Sequence, residues 1–169
     1  VENVTRDRRG FAVSDTSRDL LKIAVVERHH RSGRIGLGFV KGFGLKTGAL
    51  ASSVAHDSHN IIVVGENDGD MRCAVQEILH MGGGLVAVNN GLTLASLALP
   101  VAGLMSMEPM ETVKKDLDTL LTAAGSMGCT VKDPFMALSF LALPVIPELK
   151  LTDLGLVNVK DFKIISLFA

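Results

Sequence analysis

Residues 61–64 form an unbroken run of β-branched apolar side chains, Ile-Ile-Val-Val, which ends at Gly65. Such a run predicts a strand that is buried on both faces. A second Val- and Ile-rich run at 20–27 predicts another strand. Further along, Asn-Asn-Gly at 89–91 separates two apolar stretches, which is a strong signal for a β-hairpin. The chain is therefore expected to contain a sheet with a buried centre.

Three other segments carry apolar side chains at helical spacing. The first covers 69–81, and the second predicts an amphipathic helix of about 15 to 18 residues that ends at Gly128. The third, 134–143, is apolar nearly all round, which is typical of a helix that is buried or lies at an interface. The expected N-caps are Asn67 or Asp68 for the first helix, Ser106 for the second and Asp133 for the third.

The order of these elements predicts the fold class α+β: a mixed β-sheet with helices packed on it. Residues 157–159 and 162–168 are expected to be closing strands, and 148–155 a loop with a turn. Residues 1–19 are polar and lack a clear period, so we interpret them as an N-terminal segment ahead of a single domain at 20–169.

Glycines are dense between residues 35 and 44 and include a Gly-x-Gly motif. The stretch lacks the Gly-Lys-Ser/Thr ending of a phosphate-binding loop, and no clean helix start follows it. We therefore expect these glycines to allow close approach to a neighbouring element, or a turn with positive φ.

A polar cluster stands directly before the strand at 61–64 and is the main candidate for chemistry. Polar side chains at the end of a buried strand are where open α/β sheets bind ligands, but the same residue types also form turns. His56 and His59 are three residues apart, so they would lie on opposite faces of an extended segment, and the spacing is a weak metal motif. The cluster comprises His56, Asp57, Ser58, His59 and Asn60.

A basic turn at 28–34 contains the adjacent residues His29 and His30. It is either a solvated connection or a contact for an anion or substrate. Adjacent side chains on a strand point in opposite directions, so at most one of the two imidazoles can face a given site.

Composition and charge narrow the classes of function. The 169 residues carry a net charge of −1 and include neither Trp nor Tyr, so a nucleic-acid partner is not expected. No apolar run reaches the roughly 18 residues that a membrane span needs, and no signal peptide is visible. The two distant cysteines lack zinc spacing and predict free thiols, which is typical of a cytoplasmic protein.

The chain begins with Val, and only 21% of its residues are charged although 47% are hydrophobic. We interpret it as a fragment, part of whose surface faces another domain or subunit.

Four blocks occur in order along the chain: LKIAVVERHH at 21–30, GFVKGFG at 38–44, SVAHDSHN at 53–60 and DPFMALSFLALP at 133–144. Together they resemble the C-terminal domain of adenine deaminase, the adenine aminohydrolase of the amidohydrolase superfamily. The resemblance runs from about Phe11 to the C-terminus.

This resemblance implies hydrolysis of adenine to hypoxanthine and ammonia, as in purine salvage, at a binuclear manganese or iron site. The metal ligands are expected on a (β/α)₈ barrel that precedes this domain, and the chain lacks both that barrel and its His-x-His pair, so no metal ligand is expected here. The implied partners are the barrel of the same enzyme, a purine and further copies in a homo-oligomer. The residues inside the matching blocks are His56, Asp57 and His59 as catalytic candidates, and His29, His30, Ser58 and Asn60 as substrate-binding candidates.

Two alternatives remain open. The apolar segment 134–143 favours a non-catalytic structural or oligomerisation module. The other alternative is a self-sufficient metallohydrolase that would use His56, Asp57 and His59, with His29 as a further ligand.

Overall fold

Six strands form the main sheet within residues 3–168, the part of the chain that the computed structural model describes. Val1, Glu2 and Ala169 lie outside it, and so do the outer ends of the predicted segments 1–19 and 20–169. In chain order the strands are β1 (Leu21–Val26), β2 (Ile35–Val40), β3 (Ala49–Ser52), β4 (Ile61–Gly65), β5 (Gly84–Asn89) and β6 (Leu92–Ala98).

The main sheet has the order β2-β1-β4-β3-β5-β6. The α+β class is confirmed, but the expected mixed sheet is wrong, because every strand pair of this sheet is antiparallel. The difference comes from β3, which the sequence analysis did not predict. Its four residues, Ala-Leu-Ala-Ser, show no period, and they form a strand because β4 and β5 pair with them from both sides.

Helices cover both faces of this sheet. They are α1 (Asp68–His80), α2 (Met110–Ser126) and α3 (Pro134–Leu141). Along β4, Ile61 and Val63 pack with residues of α1, whereas Ile62 and Val64 pack with Leu120 of α2 and other residues of the opposite layer. The prediction that 61–64 is buried on both faces is therefore confirmed, since each face has its own apolar layer.

Two of the three predicted N-caps are confirmed. The side chain of Asn67 accepts a hydrogen bond from the N–H of Asp70 at 2.8 Å, and the side chain of Asp133 accepts one from Met136 at 3.1 Å. The expected cap at Ser106 is wrong: its hydroxyl accepts from the N–H of Glu108, and α2 begins later, with Pro109 at the N-cap position. Proline suits a helix start because its ring presets φ.

A second antiparallel sheet packs on β2. It consists of β7 (Leu149–Thr152), β8 (Gly155–Asn158) and β9 (Lys163–Ile165). The strands predicted at 157–159 and 162–168 are confirmed as β8 and β9, although β9 is shorter than expected. The loop predicted at 148–155 is wrong, because most of it forms β7 and its hairpin turn into β8.

The glycine-rich stretch at 35–44 contains β2, which the sequence analysis did not predict. The expectation of close backbone approach is confirmed at Gly36, where an added Cβ would lie 1.8 Å from the carbonyl oxygen of Thr152. Gly42 and Gly44 adopt positive φ, as expected for a turn. The Asp19 carboxylate accepts the N–H of both of these glycines at 2.7 Å.

Along residues 3–168 no helix is both long enough and apolar enough to span a bilayer. Both cysteines, Cys73 and Cys129, are free thiols, as predicted.

Candidate functional site

Three loops meet at one edge of the main sheet. Because β1 and β4 are antiparallel and Val26 pairs with Ile61, the loop that leaves β1 lies beside the loop that enters β4. The segment that follows β6 reaches the same edge, since Gly84 at the start of β5 pairs with Ala98. All seven candidate residues lie in the first two loops, 27–34 and 53–60. The 53–60 loop, which carries His56 and His59, is termed the histidine loop.

Arg28 joins all three loops. Its Nε donates a hydrogen bond to the carbonyl oxygen of His59 at 2.6 Å, and its Nη2 donates to the carbonyl oxygen of Ala102 at 2.7 Å. The guanidinium lies so close to Gly103 that an added Cβ would come within 2.6 Å of it. Arg28 therefore fixes the histidine loop against the segment that follows β6.

Glu27 organises the loop that leaves β1. Its side chain is only 2% exposed, and its Oε1 accepts the N–H groups of His29 and His30 at 2.5 and 2.8 Å. Its Oε2 accepts the N–H and the hydroxyl of Ser32 at 3.0 and 2.8 Å. These bonds, chiefly the one from the Ser32 backbone, hold the pKa of Glu27 far below its ordinary value of 4.5, although burial acts in the opposite direction.

We expect Glu27→Gln to lower the urea midpoint of unfolding at neutral pH, because a neutral amide accepts these four bonds less well than a carboxylate. The folded state lowers the pKa, so the stabilisation is complete above the unfolded pKa near 4.5 and declines as the pH falls below it. Urea unfolding between neutral and acidic pH should therefore show the two proteins converging towards low pH.

The matched control is Glu108→Gln, at an exposed glutamate, which should leave the midpoint unchanged across the same pH range. If the difference in urea midpoint between the native protein and Glu27→Gln increased as the pH fell, the assignment of Glu27 as an ionised acceptor would be wrong.

The two histidines of this loop differ in their surroundings. His29 Nε2 lies 2.8 Å from the carbonyl oxygen of Ser58 and must donate to it, since a carbonyl only accepts. His29 thus joins the loop of β1 to the histidine loop. His30 is 81% exposed at its side chain, and its Nδ1 is 3.4 Å from Glu27.

His56 and His59 lie close together in the 53–60 loop. Their ring centroids are 6.1 Å apart in an edge-to-face arrangement, and the His56 ring lies 5.1 Å from that of Phe140 in α3. The backbone curls so that the N–H of His59 donates to the carbonyl oxygen of Ala55 at 2.6 Å, with φ +49° at His59. This turn, unlike the extended segment considered from the sequence, puts both rings on one side.

His59 has an unusual environment. Its Nδ1 is buried and has no hydrogen-bond partner within residues 3–168. Burial lowers the pKa of His59, and the nearby His56 and Arg28 lower it further, while Asp57 opposes them. Burial, His56 and Arg28 therefore favour the neutral form of the ring.

Asn60 is 4% exposed and its amide has two partners. Its Oδ1 accepts the N–H of Arg28 at 3.3 Å, and its Nδ2 donates to Asp153 at 3.2 Å. Asp153, in the turn between β7 and β8, also accepts from Arg34 Nε at 2.8 Å. Asn60 therefore connects the histidine loop to the second sheet, whereas Asp57 and Ser58 are exposed.

The sequence analysis missed Glu27, Arg28 and Asp153 as parts of this site. The signal for Glu27 was present, because it ends the apolar run at 20–27 and so continues a strand with buried positions. Arg28 was included only in the basic turn, and nothing in the sequence indicated that Asp153 lies near Asn60.

Among residues 3–168, no group of three His, Cys, Asp or Glu side chains is arranged to hold a metal ion. The described residues therefore do not fit a binuclear metal centre by themselves, and we assign no metal-dependent step to them.

The geometry defines a single α+β domain in which two loops that carry histidines lie side by side at one edge of the main sheet. A family model described as the adenine deaminase C-terminal domain matches residues 1–163. The chain is 62% identical over 161 residues to an adenine deaminase of Desulfatibacillum aliphaticivorans, and 56% identical over 161 residues to one of Methanothrix thermoacetophila. The chain therefore belongs to the adenine deaminase C-terminal domain family. Each of these matches covers 95% of this chain but only 28% of the relative's length.

Proposed function

We propose that this chain is the C-terminal part of an adenine deaminase, an enzyme of the amidohydrolase superfamily that acts in purine salvage in the cytoplasm. Water replaces the amino group of adenine in this reaction: a C–O bond forms, the C–N bond breaks, and hypoxanthine and ammonia leave. What supports the proposal is a 62% identity to an adenine deaminase that extends over 95% of the chain and includes the histidine loop.

We further propose that a preceding (β/α)₈ barrel would hold manganese or iron ions, which would supply an activated water when bound. The contribution of this chain would be to present His56 and His59 at the rim of the pocket, where they can contact the purine. Glu27, Arg28 and His29 would act as positioning residues, because their bonds fix the backbone on both sides of the histidine pair. His30, Asp57 and Ser58 are exposed and remain candidates for substrate contact.

The test compares ammonia release from adenine by this chain and by the longer protein that contains it, here called the barrel-containing enzyme, with Mn²⁺ or Fe²⁺ supplied. We expect turnover by the barrel-containing enzyme and none by the chain alone. Absence of turnover by a folded, metal-loaded barrel-containing enzyme would refute the proposal.

A structural or oligomerisation role is the second candidate, and α3 favours it. This helix exposes Met136 by 47% and Phe140 by 43%, and a homo-oligomer or the barrel could cover them. If His56→Ala and His59→Ala left turnover unchanged while a charge at Phe140 disrupted assembly, this second role would be the correct one.

Under the proposed function, Phe140→Asp should lower kcat/KM of the barrel-containing enzyme about tenfold, because a new charge on an interface disfavours docking and removes the ring that contacts His56. Steady-state kinetics and light scattering measure the two consequences. Phe162→Asp is the matched control, since Phe162 is 78% exposed beside the second sheet and should tolerate the change. Equal kinetics for both variants would argue against docking at α3.

A further inference from the structure

The two ring nitrogens of His59 lie in different environments. Nδ1 is buried and no group of the described residues hydrogen-bonds to it, yet the residue as a whole is only half-buried. Of the two ring nitrogens, Nε2 is therefore the one left available to a partner beyond residues 3–168. A polar group from outside these residues that hydrogen-bonds to the ring would do so at Nε2.

The burial of Nδ1 also decides where the proton lies. If Nε2 were the bare nitrogen, Nδ1 would carry a buried N–H with no acceptor, and buried unpaired N–H groups are rarer in proteins than buried unpaired acceptors. A doubly protonated ring would bury the same N–H and add a charge close to Arg28, whose Nε contacts the His59 carbonyl at 2.6 Å. The neutral form with hydrogen on Nε2 avoids both costs.

Building on the proposed function, we propose that His59 is a specificity residue that donates its Nε2–H to a ring nitrogen of the purine. In this role it is neither a metal ligand nor a general base, because both require a bare Nε2. The ligand feature it would select is a heteroaromatic nitrogen with an in-plane lone pair. Adenine has such acceptors, and analogues with CH in place of a ring nitrogen lack them.

The first test measures the tautomer in this chain and does not depend on activity. Nitrogen-15 NMR of histidine-labelled protein, with His59 assigned by the signals that disappear in His59→Gln, should show a protonated Nε2 and a bare Nδ1 at neutral pH. The opposite tautomer, or a cationic ring, would overturn the inference even if the enzyme is an adenine deaminase.

The second test uses three variants of the barrel-containing enzyme. A glutamine amide can place an N–H near the Nε2 position, so His59→Gln should have a lower KM than the two variants that lack this donor. His59→Phe and His59→Asn lack a donor there and should raise KM about tenfold, the usual value of one neutral hydrogen bond, with kcat nearly unchanged. A lost general base would instead lower kcat by about 10² to 10⁴ in all three variants and remove one limb of the pH profile.

Folding defects can be separated from loss of the donor. Asparagine tolerates the positive φ of His59 better than glutamine does, so thermal stability should favour His59→Asn while KM favours His59→Gln. If instead the less stable variant also had the higher KM, the effect on KM would be structural and the inference would be wrong.

The third test pairs the native enzyme and His59→Phe with adenine analogues that each replace one ring nitrogen by CH. The native enzyme should bind one of these analogues about tenfold more weakly than adenine. His59→Phe should bind that same analogue and adenine equally well, because it already lacks the donor. Additive losses for every analogue would overturn the inference, whereas complete inactivity of the native enzyme towards adenine would refute the proposed function instead.

Discussion

Arg28→Met is expected to lower kcat/KM of the barrel-containing enzyme about a hundredfold, the effect of misplacing reacting groups by about 1 Å. The guanidinium is the donor that joins the carbonyl oxygens of His59 and Ala102, at 2.6 and 2.7 Å. Methionine fills similar space but donates to neither, so the His59 end of the histidine loop loses its link to the segment after β6, whereas the bond from the Ser53 hydroxyl to the Gly103 carbonyl still joins the two segments. Steady-state kinetics with adenine measure the loss.

Two further variants make this prediction specific. Arg28→Lys keeps the charge but cannot donate from two separated nitrogens, so it should recover only part of the activity. Arg31→Met removes an exposed arginine of the same loop and should leave kcat/KM within threefold of the native value, since surface substitutions are usually worth at most about 0.5 kcal/mol. If Arg28→Met folded normally and kept its activity, Arg28 would not be a positioning residue.

Gly36→Ala is expected to have the largest effect on stability, a loss of about 3 kcal/mol. A methyl group at this position of β2 would lie 1.8 Å from the carbonyl oxygen of Thr152, and that atom belongs to the backbone, so no side-chain rotation relieves the clash. The turn between β7 and β8 must move instead. Because Asp153 in that turn contacts Asn60 and Arg34, the displacement should also reach the histidine loop.

Gly125→Ala is the matched control for this prediction. Gly125 lies in α2, and an added methyl group would meet nothing within 4 Å, so alanine should raise stability by about 0.5–1 kcal/mol through its better helix propensity. Urea unfolding of both variants and the native chain measures the difference. Equal stability of Gly36→Ala and Gly125→Ala would mean that the second sheet does not pack on β2 as described.

The elements predicted correctly are those whose determinants are local. The strand at 61–64, the hairpin at 89–91 and the caps at Asn67 and Asp133 follow from β-branched runs, turn residues and capping side chains within a few positions. The strands β2, β3 and β7 were missed because their neighbours in the folded chain supply their hydrogen bonds. A four-residue segment without a clear period carries no local signal for such pairing.

In the candidate site, too, the local features were predictable and the long-range contacts were not. Its residue types and the importance of the 53–60 segment could be read from the sequence, and the roles assigned to His29, His30, His56, Asp57, Ser58, His59 and Asn60 stay predictions. The partnerships of Arg28 with His59 and Ala102 span 31 and 74 positions and could not be predicted. The antiparallel pairing of β1 with β4 brings His59 close, and that of β5 with β6 brings the segment of Ala102 to the same edge.

The sequence by itself determined the family to which the chain belongs, the α+β class and the local helices and turns, because side-chain chemistry within a short window decides each of these. Only the tertiary structure decided that the strands are all antiparallel in the main sheet, that Glu27 and Arg28 hold the histidine loop, and that Nδ1 of His59 is buried. Burial and long-range hydrogen bonding depend on how distant segments pack, and no single stretch of sequence encodes that packing.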